Sequence, residues 1–333
     1  VENINISFFK KNNYLQFPRV IQFEITNNCP LDCPQCYKDI DNVKDMDFGL
    51  FKKMASEAKR IGVKRAMLNG GEPLSHPQFL DFVKYLNSIG ILPTCFTSGA
   101  GMTAKIAAEL KKTNIELCVS FNGSTEEINK RSRDGYKKAL SAVGLLNEFD
   151  VPFSINWVAR DDNVLDFEDL IQFSREMNSK GITVVCSKIN GKYLEESPLH
   201  KEGYEMIKRL IRKDENEKYI NIQNCNNILA VYSYDMPVSK LYGCPAGVMS
   251  FAVTVDGEFV PCPHLYMKEE YKSITEYWDA SKYLNSLRNN ETKNLKYCSE
   301  CSRSDRCRFC RAICKESHED FSVGYMGCPI FKC

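Results

Sequence analysis

The chain has 333 residues, 44 Lys and Arg against 43 Asp and Glu, and 16 cysteines. That length suits one barrel-sized domain plus a smaller one, and a net charge of +1 with no run of five basic residues excludes an electrostatic footprint for nucleic acid. No stretch approaches the apolar length of a membrane span and the opening VENINISFFKKNNYLQFPRV does not read as a signal peptide. The expectation is therefore a cytoplasmic protein with no membrane partner, whose cysteines bind metal or clusters in a reducing compartment rather than forming disulfides.

In chain order, residues 1–19 read as an N-terminal extension, and strand signals fall at Val20–Thr26, Arg65–Asn69, Leu92–Thr97, Ile115–Phe121, Pro152–Val158 and Ile182–Ser187. Helical periodicity fills the intervals at Phe48–Ile61, Pro77–Ile89, Thr103–Lys112, Tyr136–Phe149 and Phe167–Met177, with a further helix near Gly203–Arg212. Strict alternation of strand and helix implies a parallel sheet with right-handed crossovers. Cysteines are sparse between Cys36 and Cys225, where Cys95, Cys118 and Cys186 each lie in an apolar run, and crowded from Cys225 to Cys333. This division sets the expected domains at 20–215 and 216–333.

Chemistry in parallel α/β folds gathers at the carboxyl ends of the strands. The first strand runs directly into CPLDCPQCY, with Cys29, Cys33 and Cys36 followed by Tyr37. Three thiolates in so short a loop can hold three corners of a four-iron cube and leave one iron open. The competing use, half of a zinc site, needs a fourth Cys or His nearby, and none occurs in the next thirty residues. The second strand ends in Gly70, Gly71, Glu72 and Pro73, where two glycines let the backbone approach a ligand. Thr97 and Ser98 end the third strand, and Ser120 and Asn122 the fourth; all four are also ordinary helix caps.

CxxxCxxC with a following aromatic, and GGEP one strand later, resemble the signature of the radical S-adenosylmethionine (radical SAM) superfamily. The resemblance implies a partial (β/α)6 barrel in which the open iron held by Cys29, Cys33 and Cys36 binds SAM. Reductive cleavage there yields a 5′-deoxyadenosyl radical. It also implies SAM contacts from Gly70, Gly71, Glu72 and Pro73, from Thr97 and Ser98, from Ser120 and Asn122, and from Arg133, with Arg131 as the rival arginine. Relatives often carry Asp where Asn122 stands.

The cysteines of the last third resemble a SPASM domain of radical SAM peptide and protein maturases. Cys244 precedes Gly257 and Cys262, and Cys298, Cys301, Cys307 and Cys328 follow. The resemblance implies two auxiliary four-iron clusters and so three [4Fe-4S] clusters in all, Cys298, Cys301, Cys307 and Cys328 holding the distal one. Cys244 and Cys262 would hold the nearer one with Cys310 and Cys314. This chain departs from the family spacing at that point, so the third ligand stays open between Cys310 and Cys314, and the fourth is the other of that pair, Cys225, Cys333, or none, which would leave an open site for substrate. The function implied is hydrogen abstraction from a peptide or protein substrate, ending in a cross-link, an oxidation or an epimerisation. A small-molecule substrate and a multi-cluster electron-transfer protein are the alternatives. The implied partners are a low-potential electron donor such as ferredoxin or flavodoxin and, because about twenty residues before the first strand are too few for a built-in recognition domain, either a separate leader-peptide-binding protein or the SPASM surface for a precursor peptide.

Overall fold

The computed structural model describes residues 14–38, 43–188, 199–223, 243–289, 292–302, 304, 307–313, 323–324 and 328. Strands β1 (Val20–Thr26), β2 (Arg65–Gly70), β3 (Leu92–Thr97), β4 (Glu116–Ser120), β5 (Phe153–Ala159), β6 (Ile182–Cys186) and β7 (Ile220–Ile222) pair in parallel, each with the next. Between them run α1 (Phe48–Arg60), α2 (Phe79–Ser88), α3 (Ala104–Leu110), α4 (Glu126–Asn129), α5 (Tyr136–Glu148), α6 (Phe167–Glu176) and α7 (Lys201–Ile211). Side-chain oxygens start several of these helices as a cap should: Asp47 accepts from the Leu50 amide at 2.8 Å, and Thr103 from the Ile106 amide at 3.2 Å.

The alternation inside β1 decides its two faces. Ile21, Phe23 and Ile25 are fully buried against the helices: Phe23 meets Phe51 of α1 at 4.9 Å between ring centroids, and Phe51 meets Phe82 of α2 at 4.4 Å. Farther along the sheet, Trp157 of β5 stacks on Phe167 of α6 at 4.2 Å. The opposite face lines the inside of a partial barrel and is polar. There Asn69 donates to Gln22 at 3.2 Å, and Arg65 donates to Thr94 at 2.9 Å and pairs with Glu116. A closed eight-stranded barrel packs this face with branched apolar residues; here it is left fit for a polar occupant.

The sheet passes beyond the expected boundary at residue 215. Strand β7 extends one edge, while β8 (Ser250–Val253) pairs in parallel with β1, Val20 opposite Ser250, and carries β9 (Phe259–Val260) antiparallel beside it. The strand order is β7-β6-β5-β4-β3-β2-β1-β8-β9. Helices α8 (Ile274–Ala280) and α9 (Lys282–Asn289) close this end, Phe259 stacking on Tyr277 at 4.7 Å. Residues just before β1 belong to the same end. Leu15 donates its amide to Val248 at 3.0 Å and accepts from the Trp278 indole at 3.1 Å, and the Arg288 guanidinium lies 3.8 Å from the Tyr14 ring. Sequence periodicity missed β7, β8 and β9 because strands of two to four residues show no repeat.

Candidate functional site

The loop after β1 is fastened on two sides. Thr26 and Asn28 accept through their carbonyls from the amides of Gly71 and Glu72, both at 2.8 Å, and the Thr26 hydroxyl accepts from the Asn28 amide at 3.0 Å. On the other side the Gln35 amide donates to Ser132 at 3.1 Å, and Gly135, with φ +81°, leaves room for Leu31. A Cβ on Gly70 would stand 2.0 Å from the Thr26 carbonyl oxygen, and one on Gly71 would stand 2.3 Å from that of Asn28. The backbone these glycines admit is thus the protein's own cysteine loop. Cys29, Cys33 and Cys36 are half-buried, and the Cys36 amide donates to Cys33 at 3.0 Å. Burial pushes the Cys29 thiol up to about 11, with Glu72, Cys33 and Cys36 adding repulsion, so the three thiols share one neighbourhood.

Glu72 is 1% exposed and wholly engaged. Its carboxylate accepts from the Thr97 hydroxyl at 2.5 Å, the Ser98 amide at 2.7 Å, the Leu74 amide at 3.1 Å and the Ser98 hydroxyl. Burial still raises its pKa, the four donors only partly offsetting the loss of water. Thr97 and Ser98 also accept from the amides of Gly99 and Ala100, at 2.9 and 3.3 Å. Pro73 opens the short turn Pro73–Ser75 that Glu72 caps. Glu72, Thr97 and Ser98 therefore lock the end of β2 to the end of β3, and the Gly71 and Glu72 amides hold the start of the cysteine loop.

Asn122 is fully buried: its side-chain amide donates to Ser132 at 2.7 Å, its backbone amide to Asn129 at 2.8 Å, and its carbonyl accepts from Asn163 at 2.9 Å. It ties the end of β4 to the segment bearing the two arginines. Arg131 is spent at the surface on the Asp162 carbonyl, at 2.7 Å, and on Glu127. Arg133 is half-buried, and its Nε is enclosed without a partner among the described residues. An enclosed guanidinium nitrogen lacking an acceptor fits a carboxylate arriving beside the Cys29 loop. Ser120 lies on the inner face opposite Asn156, whose Oδ1 is likewise buried without a partner among those residues. No motif marks Asn156; only the two-residue alternation of β5 could have placed it inside.

Two further thiol groups lie at the other end. Burial lifts Cys307 to about 12, with Cys328, Cys298 and Cys301 raising it further, so these four converge. Cys244 is raised first by a hydrogen bond with Cys310, and Cys262, pushed up to about 11, has Cys244 beside it. Cys310 is brought to Cys244; the other open choices for the nearer group, Cys314, Cys225 and Cys333, lie outside the described residues. Arg311, 5% exposed, is close enough to Cys244, Cys298 and Cys307, cysteines of both groups, to interact with them electrostatically. Among the described residues no three His, Cys, Asp or Glu side chains crowd closely enough to hold a single metal ion. A four-iron cube spreads its thiolates more widely than one zinc, whose Zn–S bonds are about 2.3 Å. Cys95 is fully buried in the helix-side core, whereas Cys118, pushed up to about 12 by burial, has Thr183 as a hydrogen-bond partner across the inner face.

A thiol loop at the first strand end of a partial barrel, a polar interior and a second thiol-rich lobe completing its sheet are the features the comparisons with known proteins bear on. Residues 23–174, a little under half of the chain, match the model of the Radical SAM superfamily. The PqqA peptide cyclase of Bradyrhizobium diazoefficiens is 28% identical over half of this chain and 46% of its own length. That of Ruegeria pomeroyi is 23% identical over 86% of this chain and 80% of its own. The AdoMet-dependent heme synthase of Methanosarcina barkeri is 22% identical over 89% and 91%. Among solved structures, Streptococcus suis SuiB bound to precursor peptide SuiA superposes with a TM-score of 0.78 at 19% identity, covering 96% of this chain and 77% of that one. Native anSMEcpe with bound AdoMet gives 0.69 at 18% identity, covering 91% and 92%. No described helix is long and apolar enough to cross a membrane.

Proposed function

We propose that this chain is a radical SAM enzyme that abstracts hydrogen from a peptide or protein substrate held in the polar interior of the barrel. The observation that carries the reading is the Cys29–Cys36 loop, clamped by the Gly71 and Glu72 amides and bonded at Gln35 to Ser132, next in sequence to Arg133, whose Nε is enclosed without a partner among the described residues. In this reading Cys29, Cys33 and Cys36 hold a four-iron cluster and Arg133 takes the SAM carboxylate. The amides of Gly71 and Glu72 keep the loop in register, Ser120 and Asn156 face the ligand from the inner wall, and the Glu72–Thr97–Ser98 and Asn122–Ser132 networks position these groups rather than touching the ligand. When bound, the reduced cluster and SAM supply a 5′-deoxyadenosyl radical. The inner wall contributes exclusion of water and fixed hydrogen-bonding groups around the reacting carbon.

The peptide substrate is supported by the PqqA peptide cyclases and the SuiB structure bound to precursor peptide among the similar proteins. Two auxiliary clusters are supported by the two convergent thiol groups, with Cys310 taken as the third ligand of the nearer. A core of residues 20–215 and an auxiliary part of 216–333, a ferredoxin- or flavodoxin-type donor, a separate leader-binding partner and a cytoplasmic location complete the proposal. A small-molecule substrate is a second reading, favoured by the heme synthase match.

Anaerobic reconstitution tests the proposal by iron and acid-labile sulfide per chain, beside a variant with Cys29, Cys33 and Cys36 replaced by Ala. About twelve irons falling to about eight supports three four-iron clusters. Zinc in place of iron, or no loss in the variant, overturns the radical reading. Product formation from a peptide encoded beside the gene, against none from tetrapyrroles, separates the two substrate classes.

A further inference from the structure

We infer that the buried ion pair of Glu24 and Lys38 is a positioning element: it holds the exit of the Cys29–Cys36 loop against the segment after Cys262 while adding no net charge between the two thiol groups. The inference rests on the cluster-binding reading above. Lys38 follows Cys36 by two residues and is 7% exposed; Glu24, on the inner face of β1, is 2% exposed. The Lys38 ammonium pairs with Glu24 Oε1. It lies 5.4 Å from the Tyr37 ring centroid and 5.0 Å from that of Tyr266, whose hydroxyl donates to Glu24 Oε2 at 3.4 Å. Tyr37 in turn rests on His264, with ring centroids 4.0 Å apart and planes at 43°. His264 and Tyr266 both belong to the stretch just beyond Cys262, so one carboxylate and one ammonium gather a strand and both thiol-bearing loops.

A buried ion pair is weak evidence of a stabilising role, because desolvation of the two charges offsets much of their attraction, and an apolar pair of equal volume often folds as well. Its value here lies in where it stands. Cluster potentials follow local net charge, and an unbalanced ammonium at position 38 would add a positive charge two residues beyond Cys36. Glu24 lets Lys38 grip two aromatic rings from the cluster loops without that consequence.

The test is a redox titration of the reconstituted enzyme, monitored by electron paramagnetic resonance, for Glu24→Gln, Lys38→Gln and the double variant, each with its iron count. Glu24→Gln is expected to favour the reduced state of the Cys29–Cys36 cluster about tenfold, a rise of about 59 mV for a one-electron couple. Lys38→Gln, which removes the cation, lowers the potential or leaves it in place, and the double variant returns to the wild-type value. No shift in Glu24→Gln, a rise in Lys38→Gln, or a double variant displaced as far as Glu24→Gln overturns the inference. A wild-type protein that assembles no cluster refutes the proposed function itself, and the iron count tells the two failures apart.

Discussion

Replacing Glu72 separates a positioning carboxylate from a ligand-binding one. In Glu72→Ala four donors lose their acceptor at once: the amides of Leu74 and Ser98 and the hydroxyls of Thr97 and Ser98. The two hydroxyls can rotate toward other acceptors, but the two amides are fixed in a site that is 1% exposed. Each buried donor left unmade costs about 1–3 kcal/mol, so the amides alone set a loss of about 4 kcal/mol. Unfolding entropy of about 2.1 cal/mol/K per residue gives about 0.7 kcal/mol/K for this chain, and the loss becomes a fall of about 6 °C in Tm. Glu72→Gln retains an acceptor and resembles the protonated form that burial already favours, so its cost stays within about 2 kcal/mol. Tryptophan fluorescence during thermal and urea unfolding of the cluster-free protein reads both variants, since Trp157 and Trp278 are buried. A cluster-free Glu72→Ala as stable as wild type, with only SAM affinity lost, would refute the positioning argument and return Glu72 to direct contact with SAM.

Arg133→Ala should weaken SAM binding by calorimetry about tenfold to a hundredfold, the worth of one charge-assisted hydrogen bond of about 1.5–3 kcal/mol, while Arg131→Ala leaves it within about twofold. Cys310→Ser should remove about four irons per chain on reconstitution; Cys95→Ser should remove none, its thiol lying in the helix-side core. The cluster-free protein should lose thermal stability as pH rises. Cys29 and Cys262 sit at about 11, and Cys118 and Cys307 at about 12, above the ordinary thiol value of 9.0, so between pH 9 and 12 the unfolded chain releases protons that the folded one retains. A Tm that stays level or climbs across that interval counts against the buried-thiol assignment.

The six main strands and the cysteine loop were legible because long alternating segments and close cysteine spacing are local properties of a chain. Val20–Thr26 and Leu92–Thr97 carry the bounds their patterns suggest. Which strand-end residues bond to one another was not legible. Glu72, Thr97 and Ser98 look alike as ligand-facing polar residues at strand ends, and only their mutual distances show them satisfying one another. Arg133 and Arg131 are two residues apart in one segment; what separates them is that Asp162 and Glu127 occupy the second. Glu24 and Lys38 stand fourteen residues apart on a strand and a loop, a pairing that no spacing rule announces.

The strand β8 lies along β1, Val20 to Phe23 facing Ser250 to Val253. Sequence composition invites a cut near residue 215, yet a shorter polypeptide ending there would bare one flank of the strand that carries the cysteine loop. Its main-chain amides and carbonyls would then be open to any other extended chain, the condition that leads to aggregation and strand exchange. Biochemical work on an isolated core would therefore meet insolubility before it met chemistry, and a soluble fragment would keep residues 243–289 together with the barrel.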